Sequence, residues 1–139
     1  MKELNVDSGV VTYSINGKCE ISFNPTDNTF AEKVFDAFDA LDKRQEDYKN
    51  ELEKALDTKQ VFEVLRNMDM EMREIINNVF GFDLCALVFS DMNVYSLANG
   101  LPVWVNLMLS IIDEIDASFS KEKKLADVRV QKYTKKYHR

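Results

Sequence analysis

Apolar and polar residues alternate near the start of the chain. Val10-Val11-Thr12-Tyr13-Ser14-Ile15 and Lys18-Cys19-Glu20-Ile21-Ser22-Phe23 flank Asn16-Gly17, the pattern of a β-hairpin over about residues 10–23. A two-residue turn would oppose Ile15 to Lys18 and Tyr13 to Glu20, mixing apolar and charged groups on one face. A three-residue loop, Ile15-Asn16-Gly17, instead opposes Tyr13 to Cys19 and Val11 to Ile21, and sets Gly17 where a left-handed backbone is wanted. That loop is the expectation. The apolar face it creates, Val11, Tyr13, Cys19 and Ile21, must pack on something, because an isolated hairpin is marginal in water.

Beyond Asn24-Pro25 the period changes to three and four. Thr29-Phe30-Ala31-Glu32 reads as a capping box, opening a helix over about 30–56 with Phe30, Val34, Phe38, Leu41, Tyr48, Leu52 and Leu56 inward. Continuing that stripe by heptads lands on Lys59 and Arg66, so a break falls near Asp57-Thr58. A second stripe, Val61, Leu65, Met68, Met72, Ile75, Ile76 and Val79, predicts a helix over about 59–80. Gly81 is its expected left-handed cap. Asp83 can cap a short helix over about 83–89 through Leu84, Leu87, Val88 and Phe89. Ser90 to Gly100 reads as a connecting loop. Pro102 suits the first turn of a last helix over about 102–119, with Trp104, Leu107, Met108, Ile111, Ile112, Ile115 and Phe119 inward. The fold class is therefore α+β and mostly helical, a hairpin packed on three to four helices in one domain of residues 1–120. Residues 121–139 form a basic tail or last helix, in which Val130, Tyr133 and Tyr137 keep helical spacing.

Charge sharpens that division. The 139 residues carry a net −6. Residues 121–139 hold eight basic and two acidic side chains, a net +6, so residues 1–120 carry −12. An acidic body repels polyanions and argues against nucleic acid as its partner, except through the tail. The plain reading of the tail is a solvated segment that balances the body. No apolar run reaches the ~18–20 residues that span a bilayer, and the first residues lack a secretory stretch, so the expected compartment is the cytoplasm. Cys19 and Cys85 sit among apolar neighbours and are expected to be reduced.

Candidate chemistry is sparse. The single histidine, His138, sits penultimate among basic residues, where nothing would hold it as a general base, and no second histidine can complete a Ser–His or Cys–His dyad. The two cysteines lie too far apart in sequence for a zinc motif, and the four glycines form no phosphate loop. Asp36, Asp39, Asp42, Glu46 and Glu53 read as a solvated helix face, as do Asp113, Glu114 and Asp116. No catalytic, cofactor or metal site is expected. Surplus soft apolar side chains suggest protein binding instead. Met68, Met70 and Met72 alternate, so one helix cannot bury all three on one stripe, and methionine recurs on adaptable helix-binding surfaces. The candidate partner-binding residues are Met68, Met70, Met72, Trp104 and Met108; core packing is the plainer role for each.

Three segments taken together resemble a known family. They are Ile75-Ile76-Asn77-Asn78-Val79-Phe80-Gly81, then Val88-Phe89-Ser90-Asp91, then Ser96-Leu97-Ala98-Asn99-Gly100-Leu101-Pro102-Val103-Trp104 with the helix to Ile115. This pattern resembles the tail assembly chaperones of long-tailed phages that infect Gram-positive hosts, over about a third of the chain. Asn77 departs from it, since the family usually has an acidic residue there. The resemblance implies a cytoplasmic, non-virion factor that keeps the long helical tape measure protein soluble and recruits tail tube subunits. It also implies a possible frameshifted product, for which Lys123-Lys124 and Lys135-Lys136 permit slippery codons. Two other classes stay open: a nucleic-acid-associated regulator using the tail with Tyr133 and Tyr137 as stacking groups, and a structural or scaffold component of a phage particle.

Overall fold

The computed structural model describes the backbone of residues 1–137 and the side chains of residues 1–126. His138 and the faces of Val130, Tyr133 and Tyr137 lie outside the described residues. The element order is β1 (Val11–Ile15), β2 (Cys19–Phe23), α1 (Asn28–Lys54), α2 (Thr58–Phe80), α3 (Leu84–Phe89), β3 (Leu97–Ala98), β4 (Leu101–Pro102) and α4 (Val103–Tyr137). This is the mostly helical α+β architecture expected from the periodicity.

The hairpin has a three-residue loop, but the loop is Asn16-Gly17-Lys18. Tyr13 therefore opposes Ile21, Ile15 opposes Cys19 and Val11 opposes Phe23. Asn16 (φ 53) and Gly17 (φ 67) both take the left-handed backbone, and the Lys18 N–H closes the turn on the Ile15 carbonyl at 2.9 Å. Relative to the expected register the partner strand slides by two residues, which preserves the faces because the side-chain period is two. Tyr13, Ile15, Cys19, Ile21 and Phe23 turn towards the helices. Val11 does not, being 42% exposed at the strand end.

Both long helices begin at aspartates. Asp27, not Thr29, caps α1, accepting from the Thr29 N–H at 2.9 Å. The reciprocal cap sits instead at α2: Asp57 accepts from the Gln60 N–H and the Gln60 side chain accepts from the Leu56 N–H, each at 2.8 Å. The break near Asp57-Thr58 is where the stripe's phase slip puts it. Leu56, in the connection, is exposed. The short connection makes α1 and α2 antiparallel, and their far ends meet where Phe30 packs edge-on against Phe80 at 6.1 Å. Gly81 caps α2 with φ 79, donating to the Asn77 carbonyl, and Asp83 caps α3 through the Ala86 N–H. On α3, Leu84, Cys85 and Val88 are buried, whereas Leu87 is exposed.

The segment read as a loop holds a second small hairpin. Asn99 (φ 55) and Gly100 (φ 81) form its turn, and Leu97 and Ala98 pair with Pro102 and Leu101. Pro102 thus ends a strand and α4 begins one residue later. The first free N–H groups of α4 find carbonyls in this segment, Val103 on Ser96 and Trp104 on Val94, satisfying donors that a helix start leaves open. Helix α4 is unbroken to Tyr137, so the basic segment continues the helix, at least to that residue. It buries Trp104, Leu107, Met108, Ile111 and Ile115, but Phe119 is exposed, as is every residue from there to Ala126.

A candidate binding groove between the hairpin and the last helix

Two interfaces of the body contrast in how they use polar groups. Between α1 and α2, the Arg44 guanidinium grips Glu71 with two bonds, Nε to Oε1 at 2.7 Å and an Nη to Oε2 at 2.9 Å. It also holds Asp47 at 2.8 Å and lies 4.7 Å from the centre of the Tyr48 ring. The Tyr48 hydroxyl donates to the same Glu71 carboxylate. Hydrogen bonding from Arg44 holds the Glu71 carboxyl below the usual carboxylate range, against the opposing effect of burial. On the other side of α2, Arg73 pairs with Asp69 at 3.0 Å and donates to the Ser90 and Met92 carbonyls. Asp69 in turn accepts from the Val94 N–H at 2.7 Å. These bonds pin the segment after α3 to α2.

The interface between the hairpin and α4 is open. A groove of about 440 Å³ runs between them, within the range of about 300–1,000 Å³ typical of binding clefts. Tyr13 to Ile15 of β1 and Asn16 of the hairpin loop form one wall, and Asn106, Ser110 and Glu114 stand on α4 opposite. Val88, Phe89, Ala98 and Val103 close one end. Its floor is apolar: Ile21, Phe23, Leu107 and Ile111 are all buried residues of the core.

Local chemistry holds this groove in shape. Tyr13 stacks on Phe23 at 4.8 Å, and Phe23 on Phe30 at 4.3 Å, which ties the hairpin to α1. The Lys18 ammonium donates to the Val88 carbonyl at 3.3 Å, at the end of α3. Asn106 donates to the Ala98 carbonyl at 3.0 Å, securing the second hairpin to α4. Among the described residues one side-chain bond spans the groove, from the Tyr13 hydroxyl to Glu114 Oε1 at 2.9 Å. Burial, reinforced by that bond and the Glu114 charge, pushes the Tyr13 hydroxyl up to about 12. Glu114 is therefore not simply a solvent-side carboxylate, unlike its neighbours Asp113 and Asp116, which are exposed.

The five candidate partner-binding residues part company. Met72, Trp104 and Met108 are core residues at most 1% exposed, and Met68 is buried at 7%. Four of the five thus have no surface to offer a partner. Only Met70, 67% exposed on the outer face of α2, keeps that role open. Trp104 packs against Phe38 at 5.8 Å and Tyr95 at 6.3 Å; its indole N–H and the Tyr95 hydroxyl are buried without a hydrogen-bond partner among the described residues. Both thiols are free, and burial pushes Cys85 up to about 12, leaving little thiolate. No group of three or more metal-ligating side chains converges among the described residues, and no helix among them is long and apolar enough to cross a membrane.

The walls of the groove come from segments distant in sequence, so no local pattern marks it. Its signal was a Tyr on the apolar face of a strand and a Glu at the edge of an apolar helix stripe, which only the fold brings together. The departure at Asn77 has a local explanation. Its amide donates to Asp83 at 2.9 Å and accepts from the Cys85 N–H at 3.0 Å. A carboxylate there could accept but not donate, and would face Asp83. Compared with family models, with curated proteins and with solved structures, the chain matches none.

Proposed function

We propose that this protein is a binding module that holds an apolar segment of a larger protein in the groove between β1 and α4. In its specific form the proposal is a tail assembly chaperone that keeps the helical tape measure protein soluble and helps recruit tail tube subunits in the host cytoplasm. The observation that carries the binding reading is the open, apolar-floored groove rimmed by Ser14, Asn16, Asn106 and Ser110. Apolar floor supplies affinity, and a polar rim fixes orientation. Exposed Met70 offers a second soft contact. The net −12 of residues 1–120 favours solubility of a complex with an aggregation-prone client.

Co-expression with a tape measure protein tests it. The soluble fraction of that protein should rise with the wild-type chain and fall back with Ser110→Trp, which fills the groove from an exposed position. Met70→Asp should reduce it less. If the chain leaves the client's solubility unchanged, the chaperone reading fails. A chain ending at Ser120 should keep the activity; should it alone lose it, the basic segment carries the function. A nucleic-acid partner would then show itself by binding that weakens steeply with salt.

A further inference from the structure

Residues 1–10 belong to no helix or strand, and all are exposed. Leu4 and Val6 are 86% and 84% exposed and alternate with Glu3, Asn5 and Asp7, the two-residue period of a half-buried strand. A strand-patterned segment that buries neither apolar residue lacks its partner. Its base is fixed on the β2 side of the hairpin. There the Asn24 amide donates to the Ser8 carbonyl at 2.8 Å, and Gly9, at φ +71, packs so close that a Cβ would lie 2.7 Å from Asn24 Nδ2. Tyr13, Ser14 and Ile15 of β1 line the groove, and none of residues 1–10 of the same chain does.

Among the described residues strand β1 has β2 as its one strand neighbour, and its outer edge leaves backbone donors and acceptors open. We propose that residues 2–7 of a second copy of this chain add to that edge as a strand parallel to β1 and cover the groove. Lys2, Leu4 and Val6 share one face of such a strand, matching Tyr13 and Ile15 on the groove face of β1. Charge sets the direction. Among the described residues, Glu114 is the one charged side chain lining the groove, and it lies beside Tyr13; Lys2 is the one cationic side chain of the segment. With Lys2 at the Glu114 end, Leu4 and Val6 run towards Ile15, Phe89 and Val103. Glu3, Asn5 and Asp7 then face outward, continuing the polar outer face of Thr12, Ser14, Glu20 and Ser22.

Self-association of this kind does not rest on the client reading. It needs no other protein, and a client entering the groove would displace the segment. Sedimentation velocity of the full chain without client, over a range of concentrations, reads it directly. Reversible self-association is expected for the wild type. Val6→Asp, at a site exposed in the single chain, and Ser110→Trp should each weaken it by about tenfold or more, as loss of a buried aliphatic contact or of its space requires. In a Cys19→Ser background, Leu4→Cys mixed with Ser110→Cys should form an interchain disulfide more readily than Leu4→Cys mixed with Asp36→Cys. A wild type monomeric at every concentration, self-association indifferent to either variant, or equal cross-linking of the two mixtures overturns the proposal.

Discussion

The α1–α2 interface and the hairpin–α4 interface are built from similar apolar stripes, yet they finish differently. Along α1–α2, the Arg44 guanidinium and the Tyr48 phenol meet the Glu71 carboxylate across the seam, and Asp47 beside Arg44 completes the group. Between β1 and α4 a single Tyr13–Glu114 bond spans an apolar floor. A seam whose polar groups are mutually satisfied has nothing left to offer a ligand, since any newcomer would break bonds it must replace. A seam with open apolar floor and few internal polar bonds gains by being covered. The contrast teaches where this molecule is complete and where it is open.

The largest effects should come from the floor itself, which belongs to both the core and the groove. Leu107→Ala and Ile111→Ala, at residues 8% and 5% exposed, should each destabilise the fold by about 2–5 kcal/mol in denaturant melts. Losses below about 1 kcal/mol would mean that the groove floor is not part of the core.

Next is the closed seam. Glu71→Gln should cost about 1 kcal/mol, kept low because both partners are 37% exposed and screened. Its pH signature is more telling than its size. The Glu71 carboxyl is held below its unfolded value, so its contribution is complete above about pH 4.3 and is lost as pH falls through the folded value. Melting temperatures of wild type and Glu71→Gln should therefore converge on acidification. A gap constant from neutral to strongly acidic pH would remove the Arg44–Glu71 pair as its cause.

The open seam should respond more weakly and at the opposite end of the pH scale. Tyr13→Phe should cost about 1 kcal/mol or less, the usual net worth of one hydrogen bond. Because the folded hydroxyl is raised to about 12, the wild type should lose stability as pH climbs from about 10, the unfolded value, towards that point. Thermal melts of Tyr13→Phe should lack this part of the alkaline loss. Smallest of all, Asp36→Ala and Asp39→Ala on the exposed face of α1 should stay within about 0.5 kcal/mol.

Particular residues show why some of this was legible beforehand. Gly81 and Asp83 announce a helix end and a helix start because caps are local: the donor and its acceptor lie within one turn. The break at Asp57 is legible from the phase slip, whereas Thr29–Glu32 carries the reciprocal-cap pattern that the fold realises at Asp57 and Gln60 instead. Both sequences can form a cap, and the chain entering from Asn24-Pro25 gave the α1 position to Asp27. Asn99-Gly100 carries a strong turn signal, but its flanking strands of two residues each are too short to show a period.

By itself the sequence determined the helical stripes, the hairpin with its face-preserving alternation, the phase slip between α1 and α2, and the charge split between residues 1–120 and the segment beyond. Each follows from interactions reaching four residues or fewer, or from composition alone. Only the tertiary structure decided that Met68, Met72, Trp104 and Met108 lie inside while Met70, Leu87 and Phe119 lie outside, because a stripe's edge is fixed by what packs against it. The groove, too, belongs to tertiary structure. Tyr13 and Glu114 stand 101 residues apart in the chain, and no local pattern specifies a gap between two elements that each bury their own face.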